Sequence, residues 1–327
     1  MYEVCVIGAG PCGLAVSAAL QQRNIEHVVL EKSCIASTIY RFPTQMIFNS
    51  SPNLLEIGGI PFYTNATKPT RQEALTYYRT VVDRLNLPVR QYETVTQVSR
   101  DESTGYFHIS SKTASGLERE LLAKRVVVAT GYFDNPNLLG VEGEDLPHVH
   151  HYYSDPHLFY GQRVVVVGGT NSAAEAVIEL YRVGANVRLV HRGEGLSPKI
   201  KPWVLPEINS LINKNLIEYD FQSRVVRITP TSVHVHTPSG AKEFEVDHVL
   251  ALTGFHPNVS FLQQMGVHVD SETGVPEHDE RTYETNVPGL FVAGVVVSGY
   301  DANRIFIETG RFHGEAIVQS IVEAVTI

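Results

Sequence analysis

The chain has 327 residues, 43% of them hydrophobic, and a formal net charge of -9. That length makes room for about two domains with sizeable cores. The acidic balance argues against a nucleic-acid partner or an acidic membrane surface, and no apolar run is long enough to span a membrane. The N-terminus enters an apolar run with no basic leader, so the expected address is the cytoplasm. Cys5, Cys12 and Cys34 form no C-x-x-C pair, which leaves neither a disulfide framework nor a zinc site of that kind.

Residues 4–7 predict a first strand, residues 12–22 a helix and residues 27–30 a second strand ending at Glu31. Between the first strand and the helix lies Gly8-Ala9-Gly10-Pro11-Cys12-Gly13, a dinucleotide-binding fingerprint in its proper context. Gly8, Gly10 and Gly13 let the backbone turn tightly and approach a pyrophosphate, and the helix start from Pro11 faces the anion. Glu31, with Lys32 beside it, stands where an acid accepts a ribose hydroxyl. This unit therefore predicts FAD. Residues 43–61 read as loop around Asn49-Ser50-Ser51-Pro52, and residues 71–85 as an amphipathic helix after Pro69-Thr70. Residues 95–99 and 106–110 read as paired strands joined by a polar turn. Residues 126–129 form a buried strand ending in Thr130-Gly131.

The theme then repeats. Residues 164–167 lead into Gly168-Gly169-Thr170-Asn171-Ser172 and a helical pattern, and residues 249–252 close the unit with Thr253-Gly254. After the next strand, residues 187–190, this unit carries His191-Arg192, with Lys199 and Lys201 soon after, where an acid would hold a free ribose hydroxyl. Basic groups there match a 2′-phosphate, so NADPH is expected over NADH; a solvated basic patch is the rival reading. Two nucleotides in one chain imply an oxidoreductase that passes a hydride between them. The expected fold is α/β, with two Rossmann-like domains. An FAD domain at 1–136 and 254–327 is interrupted by an NADPH domain at 137–253.

Residues 289–294 resemble the last strand of a flavin domain, and a helical run carrying Asn303, Arg304, Ile305, Phe306 and Glu308 is expected after it. Gly294 and Ile305 are placed by that reading near the flavin. Many such proteins have an aspartate directly after the glycine, against the ribityl chain; here Val295 stands there, so another group must take the role or the contact is absent. His148, His150, His151 and His157 cluster with Asp155, but their spacing fits no common zinc motif, and a polar connector is the expectation. Trp203 is read as a packing anchor, Cys5 as an inert buried residue and Cys34 as a surface thiol.

Over its whole length the sequence resembles the YpdA-type bacillithiol disulfide reductases, within the wider thioredoxin-reductase-like flavoproteins. The likeness is carried by Gly8–Gly13, Tyr40-Arg41-Phe42-Pro43, Leu54-Leu55-Glu56-Ile57-Gly58, Gly169–Ala173, Ser197-Pro198-Lys199-Ile200-Lys201-Pro202-Trp203 and Ile305–Gly314. It implies FAD, NADPH, a homodimer or homotetramer, and reduction of a small-molecule disulfide. Cys12 matches that family's cysteine within the flavin fingerprint, its proposed redox-active residue. Rival readings share the two folds: a flavin monooxygenase, a ferredoxin or flavodoxin–NADP reductase, and an NADPH-binding redox sensor.

Overall fold

In the computed structural model, which describes residues 1–301 and 303–326, the first apolar run is the Tyr2–Ile7 strand of a parallel array. His27–Glu31 and then Val89–Gln91 flank it on one side, and Glu118–Val128 flanks it on the other. Leu290–Val292 pairs in parallel with the end of Glu118–Val128. Successive side chains of the first strand go to opposite faces. Val4 and Val6 join a core with Leu14, Tyr78 and Ile317, while Cys5 and Ile7 join one with Phe107, Ile109 and Leu262. Each fully buried aliphatic side chain there contributes about 1.5–3 kcal/mol.

Helix Pro11–Gln22 packs on the first of these faces together with Arg71–Leu85 and His313–Thr326. The Arg71 helix starts at a reciprocal cap, with Thr70 Oγ1 accepting from Glu73 N–H and Glu73 Oε2 from Thr70 N–H. Residues 43–61 are loop apart from a short 3-10 turn at Pro52–Leu54, as their breaker residues predict.

Glu118–Val128 is longer than expected. Its last residues are the apolar strand read from sequence, but its first half extends antiparallel beside Phe107–Thr113 and, through it, Glu93–Arg100. That half is charged and largely solvent-facing, so no apolar alternation marks it. The second difference follows Gly294, where the chain makes a 3-10 turn at Gly294–Ser298 rather than a helix. Gly299, at φ +57, turns it again, and regular helix resumes only at Ile307–Gly310 and His313–Thr326. Asn303, Arg304, Ile305 and Phe306 therefore lie outside helix.

By contact the chain divides into two compact units, Met1–Asn135 with the stretch from Phe255 onward, and Pro136–Gly254. The second unit has its own parallel sheet, in the order Glu218–Asp220, Asn186–Val190, Arg163–Val167, His248–Ala251, Val149–His150. Helices Asn171–Arg182 and Leu205–Asn213 cover one face with Val164 and Val166. An antiparallel meander of Arg224–Ile228, Ser232–Thr237 and Gly240–Glu245 covers the other with Val165 and Val167. Val149–His150 is thus an edge strand of this sheet and not the polar connector expected.

Candidate functional site: two glycine turns

The first turn follows from three glycines with three different reasons. Gly8 sits at φ +107, and a Cβ there would lie 2.5 Å from the Ala129 carbonyl oxygen. A Cβ on Gly13 would lie under 3.0 Å from the Gly8 carbonyl oxygen, so the helix start is pressed onto the strand end. Gly10 is the opposite case, because no protein atom lies within 4 Å of where its Cβ would be. It is also the N-cap of Pro11–Gln22, and no side chain caps that helix. An uncapped helix start behind an open glycine fits a pyrophosphate, to which the unpaired amides can donate.

Glu31 is buried, 5% exposed, and already holds the turn. Its Oε2 accepts from Ala9 N–H at 2.7 Å and its Oε1 from Ser33 N–H at 2.9 Å. A carboxylate has about four acceptor positions, so capacity for a ribose hydroxyl remains. Lys32 is engaged as well, with Nζ 2.9 Å from Asp134, which also receives Arg41 at 2.5 Å. Thr130 abuts the Gly8 position, and Gly131 leaves the strand at φ +70.

Cys12 occupies the second position of the helix, and its side chain faces Gly294 and Gly310. A Cβ would stand 3.0 Å from its Sγ at the first and 2.8 Å at the second. Ile305 and the Gly294 Cα border the same spot. Gly8, Gly10, Cys12, Gly13, Thr130, Gly294 and Ile305 therefore gather at the carboxyl ends of the parallel strands, where open α/β sheets bind ligands. Cys12 is half-buried by exposed surface, but the desolvation of its sulfur in this slot pushes the thiol up to about 12, so it rests as a neutral thiol at neutral pH. Cys5 is fully buried and likewise raised to about 12, in keeping with an inert residue, and Cys34 is half-buried.

The second turn repeats the geometry with one change. Gly168 is again forced, since a Cβ would fall 2.5 Å from the Leu252 carbonyl oxygen and 2.8 Å from Ala173. Gly169 faces no open space, because the His191 imidazole lies where its Cβ would be. Asn171 and Ser172 open the helix, with Thr170 as N-cap and no side-chain cap. Asn171 Oδ1 accepts from Lys201 N–H at 2.8 Å and its Nδ2 donates to the Lys199 carbonyl at 3.4 Å, while Ser197 N–H donates to the Gly169 carbonyl at 2.9 Å. These bonds draw residues 197–201 across the helix start. Lys201 is paired with Glu175 at 3.2 Å, whereas Arg192 and Lys199 are exposed and make no side-chain ion pair among the described residues. Burial, reinforced by Arg192, holds His191 below its ordinary value. Trp203, in the same stretch, is 57% exposed, more open than the packing anchor expected.

His150 Nε2 lies 3.1 Å from His248 Nδ1, and His151 Nε2 lies 3.7 Å from Glu144. No group of three or more metal-ligating side chains is assembled among the described residues.

Sequence reading gave His313 no role. It is 4% exposed, its Nδ1 accepts the Gly294 N–H at 3.2 Å, and its ring stacks on Tyr283 at 4.0 Å. Burial holds it down to about 4, against about 6.5 for an unfolded histidine. Between those values the unfolded chain binds the extra proton, so stability is complete above about pH 6.5 and falls as pH drops toward 4. The gap is worth about 3 kcal/mol. Thermal melts of the wild-type protein should lose midpoint steeply over that window, and His313→Asn should flatten the slope. An unchanged slope in the variant would assign the acid sensitivity to other groups, such as the buried His27.

Two Rossmann-like units, each with a strand, a glycine turn and an uncapped helix start, define a two-nucleotide oxidoreductase that uses FAD and a pyridine nucleotide. Residues 5–294 match the pyridine nucleotide-disulphide oxidoreductase family. The bacilliredoxin reductase Bdr of Bacillus subtilis (strain 168) is 43% identical over 324 residues, 98% of each chain. The solved structure of the bacillithiol disulfide reductase Bdr (YpdA) from Bacillus cereus superposes with a TM-score of 0.96 at 43% identity, covering 99% of both chains. Lactococcus lactis thioredoxin reductase, at 20% identity and a TM-score of 0.78 over 100% of this chain and 99% of its own, shares the fold. The chain belongs to the pyridine nucleotide-disulphide oxidoreductase family and, within it, to the group of its Bdr (YpdA) relatives.

Proposed function

We propose that the protein transfers reducing equivalents from NADPH through FAD to a low-molecular-weight disulfide of the bacillithiol type. Gly8, Gly10, Pro11, Gly13, Glu31, Lys32, Thr130, Gly131, Gly294 and Ile305 would hold FAD in the unit that contains both chain ends. Gly168, Gly169, Asn171, Ser172, His191, Arg192 and Lys199 would hold NADPH in the inserted unit. The bound flavin supplies the two-electron chemistry; the protein's part is to bind, to orient and to exclude water. Gly10 carries the proposal, as an open glycine at an uncapped helix start bordered by Cys12.

The substrate class rests on the relatives, one named for a bacilliredoxin and one for bacillithiol disulfide. Cys12 is the candidate redox thiol, since it matches the cysteine that the YpdA-type family carries within the flavin fingerprint, and the chain has no C-x-x-C pair. The proposal includes a homodimer or homotetramer in the cytoplasm; no helix among the described residues is long and apolar enough to cross a membrane. Purified protein should be yellow, carry about one FAD per chain and bleach on anaerobic addition of NADPH. A protein that stays colourless after incubation with FAD would contradict it.

Arg192 sets the expected preference for NADPH over NADH. It is exposed and has no carboxylate to satisfy it among the described residues, so a 2′-phosphate is the natural partner. Arg192→Ala should weaken NADPH by roughly ten- to a hundredfold, the loss of one charge-assisted contact of about 1.5–3 kcal/mol. NADH should be nearly unaffected. Equal losses for both nucleotides would place Arg192 in the fold or against another part of the ligand.

A further inference from the structure

The turn at Gly294 lacks the carboxylate that many flavoproteins place directly after this glycine, and Val295 cannot supply one. Its N–H is nevertheless engaged. The donor points at Nδ1 of His313, which begins the last helix and is buried. A donor at Gly294 requires a lone pair on Nδ1, so the ring proton sits on Nε2 and the imidazole is neutral.

The ring is fixed from two further directions. Tyr283 stacks on it with an interplanar angle of 12°, and His278 in turn stacks on Tyr283 at 6.1 Å. Tyr283 is held at φ +59, an uncommon conformation for a bulky residue, which the surrounding structure must sustain. Next in sequence, Gly314 has no room for a Cβ, which would meet Val16 N at 2.8 Å and Ala15 C and O at 2.9 Å. That close approach locks the start of the last helix against Pro11–Gln22, the helix that opens at Gly10. His313 therefore ties the Gly294 turn to the same helix that forms the pyrophosphate cradle.

We infer that His313 is a positioning residue for the flavin, its Nδ1 holding the Gly294 turn in place from the last helix. The inference rests on the reading that this unit binds FAD. It makes Gly294 and the Cys12 thiol packed against it depend on one hydrogen bond from the last helix.

Two near-isosteric variants separate the hydrogen bond from the stacking. His313→Asn places its amide oxygen close to the position of Nδ1, whereas His313→Gln carries it one methylene further, toward Nε2. Both lose the ring stacked on Tyr283, so both should lower the melting temperature of the FAD-free protein, His313→Gln somewhat further because it also leaves the Gly294 N–H without its acceptor. Flavin affinity should split them. On dilution of the flavin-loaded full chain, read by flavin fluorescence, His313→Asn should hold FAD within about threefold of wild type, and His313→Gln should lose roughly tenfold or more. Visible circular dichroism of the bound flavin should match wild type in the Asn variant and change in the Gln variant. Equal FAD affinity in the two variants, whether both match wild type or both are weakened, overturns the positioning role. A wild-type protein that binds no FAD overturns the functional reading instead, and the two failures are distinct.

Discussion

Replacing Gly10 by valine is expected to abolish flavin binding while leaving the FAD-free fold nearly intact. Gly10 has φ -72 and ψ 174, a conformation open to any residue, and no protein atom waits within 4 Å of its missing Cβ. The loss of a favourable N-cap residue costs about 1 kcal/mol. A branched side chain there would instead fill the space that a pyrophosphate needs. Gly13→Ala supplies the contrast. Its Cβ would collide with the Gly8 carbonyl, a backbone atom that cannot rotate away, so the helix must lift from the sheet. Overpacking of this kind costs about 1–3 kcal/mol or more, and the melting temperature of the FAD-free protein should fall with it. Flavin titration and thermal melts on the two variants check both halves. A Gly10→Val protein that binds FAD normally would remove the cradle from the account.

The second large effect is expected at Cys12. Cys12→Ser is nearly isosteric in the slot against Gly294 and Gly310, so FAD binding and flavin bleaching by NADPH should survive. Disulfide-dependent turnover should fall by roughly a thousandfold or more, as when a nucleophile is removed. Burial also sets a pH signature. A thiol held at about 12 becomes tenfold more ionised for each pH unit gained below that value, and the thiolate is the nucleophile. Wild-type turnover should therefore climb between pH 7 and 9, and the residual rate of the serine variant should stay flat. A Cys12→Ser enzyme that reduces disulfides at the wild-type rate would make Cys12 structural. Electrons would then leave the flavin by a route that needs no thiol.

The parts of the molecule that were legible in the sequence are those where one residue type has one physical reason. Gly8, Gly13 and Gly168 are glycines because backbone or a buried methyl stands where a Cβ would go, and their spacing announces it. The apolar runs at residues 4–7, 126–128 and 164–167 are buried on both faces, and they mark the two parallel sheets. Glu118–Val128 was half hidden because a strand facing solvent needs no apolar pattern. The meander from Arg224 to Glu245 was unmarked because its outer strand, Gly240–Glu245, is polar and mostly exposed.

Other features arise only when distant residues meet. The bare face of Gly169 is met by the His191 imidazole, more than twenty residues on. The Asn171 carboxamide accepts the Lys201 N–H across the helix start. Asp134 gathers Lys32 and Arg41 from separate segments. Nothing in the linear sequence says that the His313 ring meets the Gly294 N–H.

The central claim is that NADPH electrons reach a low-molecular-weight disulfide without a cysteine pair. Its most direct test is anaerobic NADPH oxidation by the FAD-loaded protein, with thiol release measured in the same cuvette. With bacillithiol disulfide present, each NADPH and one proton should be consumed with release of two thiols and one NADP+. NADPH consumption that needs air or a one-electron carrier protein, with no thiol formed from any disulfide offered, would contradict the account.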